Sequence, residues 1–293
     1  MKFLITLVCL IVLSLNADSG LAFLKYERNP MISSTATVGA LFNKTSQSAN
    51  YNPAFVSGLE GTEIGLSYSS YIEDGYFSTF DIRNDLGFGS VVLNIDYFDA
   101  GDFEGRYKPS EDQQFSFGAS NLMMNLGYGY ALNDFFAIGV SGKAIYESIE
   151  FVDAWGYSFN FGVNSENLID GLLLSVYASD LGSMDKLEEK ATDLPFSINF
   201  GAGYNFTLSD FGVKLGAENR YDFEDEDNYT KIGSEVSWQN MIFLRGGYRI
   251  NNEGMPFSVG AGFNFYDVKV DYSFTQFDDF GDVHGIGVSY LIM

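Results

Sequence analysis

Few residues in this sequence are suited to acid–base or metal chemistry. Hydrolysis of lipids or peptides usually needs a general base, most often histidine, and the 293 residues include one, His284. No serine-centred nucleophile motif lies near His284, and the chain has no second histidine to complete a zinc site. We therefore interpret His284 as a residue at the edge of the last strand and predict that the protein is not an enzyme.

Other motifs that resemble cofactor or metal sites are also weak. The acidic run Glu224-Asp225-Glu226-Asp227 lacks the glycine-spaced ligand pattern of a dedicated calcium loop, so we interpret it as a solvated loop. The Gly-Tyr-Gly at 127–129 and the Gly-Ala-Gly at 201–203 lie inside strand-like segments and not in phosphate-binding loops. The sequence thus predicts no metal and no cofactor.

Charged residues within alternating apolar segments are the most informative polar positions. An Arg or Lys on the lipid side of a membrane strand costs about 2–4 kcal/mol at the midplane, so Arg245 and Arg249 are expected to face inward. Two uses remain open for them: ion pairs that brace the interior, or a cation such as Arg245 that receives the carboxylate of an amphipathic ligand. The candidate ligand residues are Arg245, Arg249, Met241, Phe243, Lys269 and Asp271, and the same count places Lys143, Glu147, Lys214, Glu218 and Arg220 on inner faces.

β-strands must position these residues, because apolar side chains recur at every second position. In 155–164 large apolar residues alternate with Gly, Ser and Asn, and 195–206 repeats the pattern. The polar face has few of the charges that a soluble sandwich presents to water, and aromatic residues lie near strand ends, as lipid interfaces require. Because hydrocarbon does not tolerate an unpaired sheet edge, we predict an all-β fold, a transmembrane antiparallel β-barrel.

Fifteen segments have strand character. Single-chain bacterial barrels normally have an even number of strands, so we interpret 113–120 and 121–132 as one strand, which leaves about 14. Short hairpins are predicted at 133–134, 207–210 and 266–267, and longer polar connections at 98–112, 181–194 and 222–227.

The N-terminus has the pattern of an export signal. Residues 3–15 form a mainly apolar run behind Lys2, too short for the roughly 20 residues that a membrane helix needs. Gly20-Leu21-Ala22 fits a small-x-small cleavage site, with Ala17 as the alternative, so 1–22 is predicted to be a cleaved signal peptide. Removal of 1–22 leaves no cysteine in the mature chain, and the net charge of −23 argues against nucleic-acid binding.

Residues 23–62 do not alternate and carry motifs of their own. A small-residue segment with Gly39 is followed by Tyr51-Asn52-Pro53-Ala54 just before the first strand. The sequence here resembles the FadL-like outer-membrane β-barrel superfamily, and more closely its PorV/PorQ branch, which has a Gly-Gly-Ala segment and then Tyr-x-Asn-Pro-Ala-Gly. In this chain Val38 replaces the first Gly, and Phe55 replaces the last. Residues 271–292 resemble that branch's closing hairpin, although the chain ends in Met293 and not in an aromatic residue.

The resemblance implies that 23–62 is an N-terminal hatch that plugs the lumen of a barrel formed by 63–293. Small inner side chains leave room for these roughly 40 residues, and Pro53 fixes a sharp turn from plug to wall. The hatch residues expected from the motif are Gly39, Tyr51, Asn52, Pro53 and Ala54.

Three functions stay open from the sequence. The resemblance implies a bacterial outer-membrane protein, in contact with outer-membrane lipid, that passes or binds hydrophobic or amphipathic ligands such as long-chain fatty acids. The alternative is a PorV/PorQ-like, non-enzymatic partner of type IX secretion, with secretion-system proteins as its partners. A general porin or a surface structural protein is the third.

Overall fold

The computed structural model describes residues 21–58, 60–71, 74–105, 115–187, 190–251, 256–277 and 281–293. The predicted signal peptide up to residue 20 and residues 106–112 of the predicted loop 98–112 lie outside the described residues. No helix in the described ranges is long and apolar enough to cross a membrane.

The described chain forms a closed antiparallel β-barrel of fourteen strands, as predicted. The barrel closes where Thr62 pairs with Ile292, and a separate two-stranded hairpin joins β8 to β9. One strand, Phe115–Ala131, covers the described part of the segments at 113–120 and 121–132, which confirms their interpretation as a single strand. The strands are β1 (Thr62–Ser70), β2 (Tyr76–Asp85), β3 (Ser90–Gly105), β4 (Phe115–Ala131), β5 (Phe136–Ile149), β6 (Val152–Glu166), β7 (Leu172–Met184), β8 (Lys186–Leu187), β9 (Lys190–Ala191), β10 (Ser197–Leu208), β11 (Phe211–Asp222), β12 (Asp227–Trp238), β13 (Ile242–Ile250), β14 (Phe257–Phe265), β15 (Val268–Thr275) and β16 (Val283–Ile292).

The two ends of the barrel differ in their connections. We call the end at which Thr62 and Ile292 meet the terminal rim, and the opposite end the loop rim. Connections at the terminal rim are short, and the predicted hairpins at 133–134, 207–210 and 266–267 are all there. At the loop rim, the connection predicted as long at 222–227 is a four-residue turn, because β11 and β12 stay paired as far as Asp222 and Asp227.

The alternating sequence sorts side chains between lipid and lumen as predicted. In β6 the outward Trp155 is 59% exposed, whereas the neighbouring inward Ser158 and Asn160 are fully buried. Exposed aromatic residues near both rims, such as Trp155 and Trp238, form the girdles of a membrane barrel. The apolar faces therefore form the outside of the barrel and do not meet each other in a dry core.

A β-bulge in β7 explains why the alternation ends early in the sequence. The register with β6 shifts between Phe159 and Phe161, and Asp180 has a left-handed backbone with φ of 62°. The bulge reverses the phase of the strand, so β7 continues to Met184 instead of ending near 180. The Asp180 amide donates to Asn160 Oδ1 at 2.9 Å, and its carboxylate accepts from Lys143 Nζ at 2.6 Å.

Residues 21–58 fill the lumen as a series of short helical turns. Most of their side chains are buried, and the wall opposite them is rich in glycine. A Cβ at Gly139 would lie 2.3 Å from the Ala54 nitrogen, and one at Gly247 would lie 2.3 Å from the carbonyl carbon of Thr35. The inner glycines are therefore needed for close packing of this segment. The turns are Ala22–Lys25, Pro30–Ser33, Gly39–Phe42, Ser46–Asn50 and Pro53–Val56.

The predicted turn before the first strand is present and is capped. Asn52 precedes the turn Pro53–Val56, and its side-chain oxygen accepts a hydrogen bond from the Ala54 amide at 2.9 Å. The Asn52 side-chain nitrogen also donates to the Val163 carbonyl of the wall at 3.3 Å. Asn52 thus fixes the turn and attaches it to β6.

Candidate functional site

A pocket of about 270 Å³ lies between the lumenal segment and the wall near the terminal rim, and we call it the rim pocket. Four of the six candidate ligand residues line it: Phe243 and Arg245 from β13, and Lys269 and Asp271 from β15. The strands place them there because all four side chains are at positions that face the lumen. The lumenal segment contributes Met31, Leu41, Phe42, Asn43 and Lys44, and the ends of β6 and β7 contribute Glu166 and Leu173.

The other two candidates lie elsewhere. Met241 is in the turn before β13 and is 39% exposed. Arg249 is buried nearer the loop rim, where its Nη2 lies 2.8 Å from Oε1 of Glu27. The rim pocket therefore does not include Met241 or Arg249.

Arg245 is held between two carboxylates. Its Nε donates to Glu235 Oε2 at 2.6 Å and its Nη1 to Asp271 Oδ1 at 2.6 Å. The ring of Phe243 lies 5.2 Å from the guanidinium carbon, within cation–π range. Lys214 Nζ approaches the same Glu235 at 3.0 Å. The positive charge of Arg245 is thus already compensated by the wall.

Lys269 differs from Arg245 in having no such partner. In the ranges that the structure describes, its side-chain ammonium forms neither a hydrogen bond nor an ion pair, and the side chain is half-buried in the pocket wall. Lys44, the third cation of the lining, pairs with Glu166 at 2.9 Å. The pocket lining contains three cations and two carboxylates, so it is richer in positive charge than a chain with net charge −23 would suggest.

A second, apolar region lies near the loop rim, and we call it the aromatic chamber. Its wall includes Phe77, Met123, Ile145 and Met184, all inward-facing and nearly inaccessible, and Phe98 stacks on Phe77 with ring centroids 4.4 Å apart. The sequence reasoning missed it. A signal existed, because Met123 and Ile145 interrupt the polar inner faces of β4 and β5.

The N-terminal residues of the lumenal segment occupy the aromatic chamber. Leu21, Phe23 and Leu24 pack into the same cluster as its wall residues. Tyr26 packs on Tyr71 at 4.9 Å between ring centroids. Burial is the larger cause, and the hydrogen bond with Tyr26 the smaller, of a raised pKa of the Tyr71 phenol, so its hydroxyl stays neutral. The chamber offers apolar contacts and no free charge among these residues.

Ion pairs fasten the lumenal segment to the wall, which is the first of the two uses left open for inner charges. Arg28 Nη1 lies 3.0 Å from Asp96 Oδ2, and the same oxygen accepts from Asn50. Lys25 pairs with Asp222 at 3.8 Å and also with Asp225 of the acidic turn. Burial lowers the pKa of the Lys25 ammonium, and the Asp222 carboxylate opposes that shift.

The residues considered for catalysis and metal binding are not assembled into a site. His284 is exposed on the outer side of β16, where its Nδ1 lies 2.7 Å from the Tyr272 hydroxyl. Within the described residues no group of three or more His, Cys, Asp or Glu could hold a metal ion. The acidic run 224–227 forms the turn between β11 and β12 and the start of β12.

The five predicted hatch residues all belong to the lumenal segment, where they contact the segment itself or the barrel wall. Gly39 is buried, and its amide donates to Thr35 Oγ1 at 2.7 Å. Tyr51 packs beside a second apolar cluster that includes Leu41 and Phe55. Pro53 and Ala54 lie against the wall at Gly139.

Comparison with known proteins bears on this arrangement. No protein-family model matches the sequence, and no curated protein matches it. Solved structures do match. The barrel is similar to one described as the "CymD monoaromatic hydrocarbon channel", with TM-score 0.66 and 14% identity over 94% of this chain and 99% of that one. The chain has the fold of these channels.

Two further structures extend the comparison. The Pseudomonas putida toluene transporter TodX aligns with TM-score 0.64 and 14% identity over 95% of this chain and 98% of that one. A Pseudomonas aeruginosa FadL homologue aligns with TM-score 0.59 and 10% identity over 91% and 98%. At such identities the likeness shows the shared FadL-like barrel fold.

Proposed function

We propose that the protein is a non-enzymatic outer-membrane barrel that binds and passes hydrophobic or amphipathic ligands, such as long-chain fatty acids, with 23–62 acting as its hatch. The observation that carries this proposal is the rim pocket, in which the unpaired Lys269 adjoins apolar side chains of the lumenal segment. Two barrels of similar fold are described as a monoaromatic hydrocarbon channel and a toluene transporter, which supports an apolar ligand.

In this proposal Lys269 receives the negative head of the ligand. Arg245 suits that role less well, because Glu235 and Asp271 already accept its hydrogen bonds. Asp271 is drawn toward Arg245 by the same contact, which leaves the Lys269 ammonium available. Leu41, Phe42 and Leu173 then contact the chain of the ligand. The pocket is slightly smaller than the roughly 300–1,000 Å³ typical of ligand sites, so it suits the head and the first part of a chain.

Passage requires a continuous route between the two regions of the lumen. The aromatic chamber and the rim pocket lie on opposite sides of the lumenal segment, which contacts the wall of both. A ligand that enters at the loop rim therefore has to displace part of this segment. We propose that the chamber residues of the lumenal segment move first, because their contacts are mainly apolar and, after the proposed cleavage of 1–22, they would form the chain end.

Binding of a charged and an uncharged ligand of equal length tests the role of Lys269. We expect Lys269→Met to weaken binding of decanoate by about tenfold to a hundredfold, since a hydrogen bond to a charged group contributes about 1.5–3 kcal/mol. Binding of 1-decanol should change little, and Lys269→Arg should retain most of the decanoate affinity. Isothermal titration calorimetry on the detergent-solubilised barrel measures the affinities of both compounds for the wild type and the two variants.

Lys44→Met is the matched control, because Lys44 lines the same pocket but is already paired with Glu166. It should affect decanoate much less than Lys269→Met does. Equal decanoate affinity of the Lys269→Met variant and the wild type would contradict the assignment of Lys269. Undetectable binding of both compounds, together with unchanged fatty-acid uptake in a deletion strain, would contradict the transport function.

A PorV/PorQ-like role in type IX secretion is the second candidate. The observation in its favour is the firm attachment of the lumenal segment, through Arg28 and Asp96 and through close packing on wall glycines, which suits a barrel that stays closed. Affinity purification from outer membranes would show secretion-system proteins in that case, and their absence would count against it.

Export through a cleaved signal peptide 1–22 is part of the proposal. Cleavage after Ala22 would remove Leu21 from the aromatic chamber but leave Phe23 and Leu24 in place. N-terminal sequencing of the mature protein should therefore begin at Phe23; a start at Met1 would contradict export by this route.

A further inference from the structure

A groove on the outside of the barrel interrupts its belt of large apolar side chains. It has a volume of about 470 Å³ and crosses β11, β12 and β13. Ser234 and Gly246 line it as register partners, and both take outward positions on the lipid side. Its edges and floor are formed by Leu215, Gly216, Ile232, Gly233, Gly247, Tyr248 and Phe257.

Gly246 is unlike the other strand glycines whose surroundings are described. Most of those face a neighbouring strand or the lumenal segment at less than 3.4 Å from an added Cβ, whereas Gly246 has nothing within 4 Å. Its φ also lies outside the left-handed region, so the backbone does not require glycine. Neither packing nor backbone geometry within the chain explains the missing side chain, and its consequence is an open groove.

Polar side chains lie outside the barrel wall at the loop-rim end of this groove. Asn219 and Thr230 are register partners, two residues along their strands from the pair Ala217 and Ile232. Two residues further toward the loop rim, Asn228 pairs with Tyr221 at the depth of the aromatic girdle. Asn219 Nδ2 donates to Asn228 Oδ1 at 2.8 Å and to Thr230 Oγ1 at 3.1 Å. These bonds leave the side-chain amide hydrogens of Asn228 and the hydroxyl hydrogen of Thr230 to donate outward.

We infer that this groove is a binding site for one membrane phospholipid. One acyl chain lies over Gly246 and Ser234, and the ester and phosphate oxygens accept hydrogen bonds from Asn228 and Thr230. The surroundings determine the class of ligand, because a groove at membrane depth is bounded by hydrocarbon and not by water. Open apolar space at one end and hydrogen-bond donors near the girdle at the other match the two parts of such a lipid.

Retention of lipid by the folded barrel tests the inference. The full chain, purified in mild detergent and mixed with dioleoyl phosphatidylethanolamine, is examined by native mass spectrometry. We expect one lipid to stay bound to the wild type, and Gly246→Leu to reduce its retention about tenfold by filling the groove. The double variant Asn228→Leu/Thr230→Val should reduce retention less, because the acyl-chain groove stays intact.

Ala144→Leu is the matched control, because Ala144 is an exposed residue on the outer face of β5, away from the groove. It should retain lipid like the wild type, and heat-modifiable gel migration shows that all variants are folded. Equal retention by Gly246→Leu and the wild type, or no retained lipid in the wild type, would overturn the inference. A dimer that Gly246→Leu converts to a monomer, without any lipid adduct, would overturn it too and assign the groove to a second copy. The lumenal decanoate measurements are independent of these outcomes.

Discussion

The two regions of the lumen bind the same segment of chain by different means. In the aromatic chamber, N-terminal residues are packed among fully buried apolar side chains, and the buried pair Arg28–Asp96 lies next to them. In the rim pocket, the partly exposed Lys44 and Glu166 and the half-buried Lys269 border open volume. The difference shows that the site that holds the lumenal segment and the space for a ligand lie at different depths of the barrel. The chamber is filled by the protein itself, and the pocket leaves volume for a ligand.

Removing the buried carboxylate of Asp96 should have the largest effect on how firmly the lumenal segment is held. Asp96→Leu leaves the Arg28 guanidinium, 5% exposed, without its charged partner. We expect the docking of residues 23–58 in the lumen to become less favourable by about 3–5 kcal/mol, as for other broken buried pairs. Hydrogen exchange of the amides in this segment, within the folded barrel, measures the loss.

The double variant Arg28→Met/Asp96→Leu serves as the control. It should recover much of the protection, because apolar replacement of both partners removes the stranded charge. Equal exchange in the Asp96→Leu variant and the wild type would show that the pair does not hold the segment.

Truncating a chamber residue should have a somewhat smaller effect. Phe23 is 3% exposed, and Phe23→Ala should make the docking of residues 23–28 in the chamber less favourable by about 3 kcal/mol. The apolar cavity that it leaves should bind benzene, as engineered apolar cavities do, and benzene should restore part of the lost hydrogen-exchange protection. Leu215→Ala on the outer face is the control and should not respond. No effect of benzene on Phe23→Ala would show that the chamber collapses instead of opening.

Breaking the partly exposed ion pair Lys44–Glu166 of the rim pocket should have the smallest effect on how firmly the lumenal segment is held. Lys44 and Glu166 are 26% and 28% exposed, so Lys44→Met should weaken docking of the segment by less than about 1 kcal/mol. The same exchange measurement applies, with Glu166→Gln as the reciprocal variant. A loss as large as that of Asp96→Leu would mean that the two regions do not differ in how firmly they hold the chain.

Several features follow from the sequence alone because they depend on local periodicity. The alternation of large apolar residues with Gly, Ser and Asn determined the strands, the lipid-facing side and the inward direction of Arg245 and Lys269. Even the merging of two segments into β4 followed from counting strands. A two-residue period is a property of each strand by itself, so no partner is needed to read it.

The tertiary structure decided what depends on contacts between distant residues. Arg245 and Lys269 look alike in their alternating strands, but only the fold places Glu235 and Asp271 on Arg245 and gives the Lys269 ammonium no partner among the described residues. The bulge at Asp180 and the aromatic chamber likewise depend on neighbours on other strands or in the lumenal segment. The sequence specifies which face a side chain takes, and closure of the barrel around residues 21–58 specifies what that side chain meets.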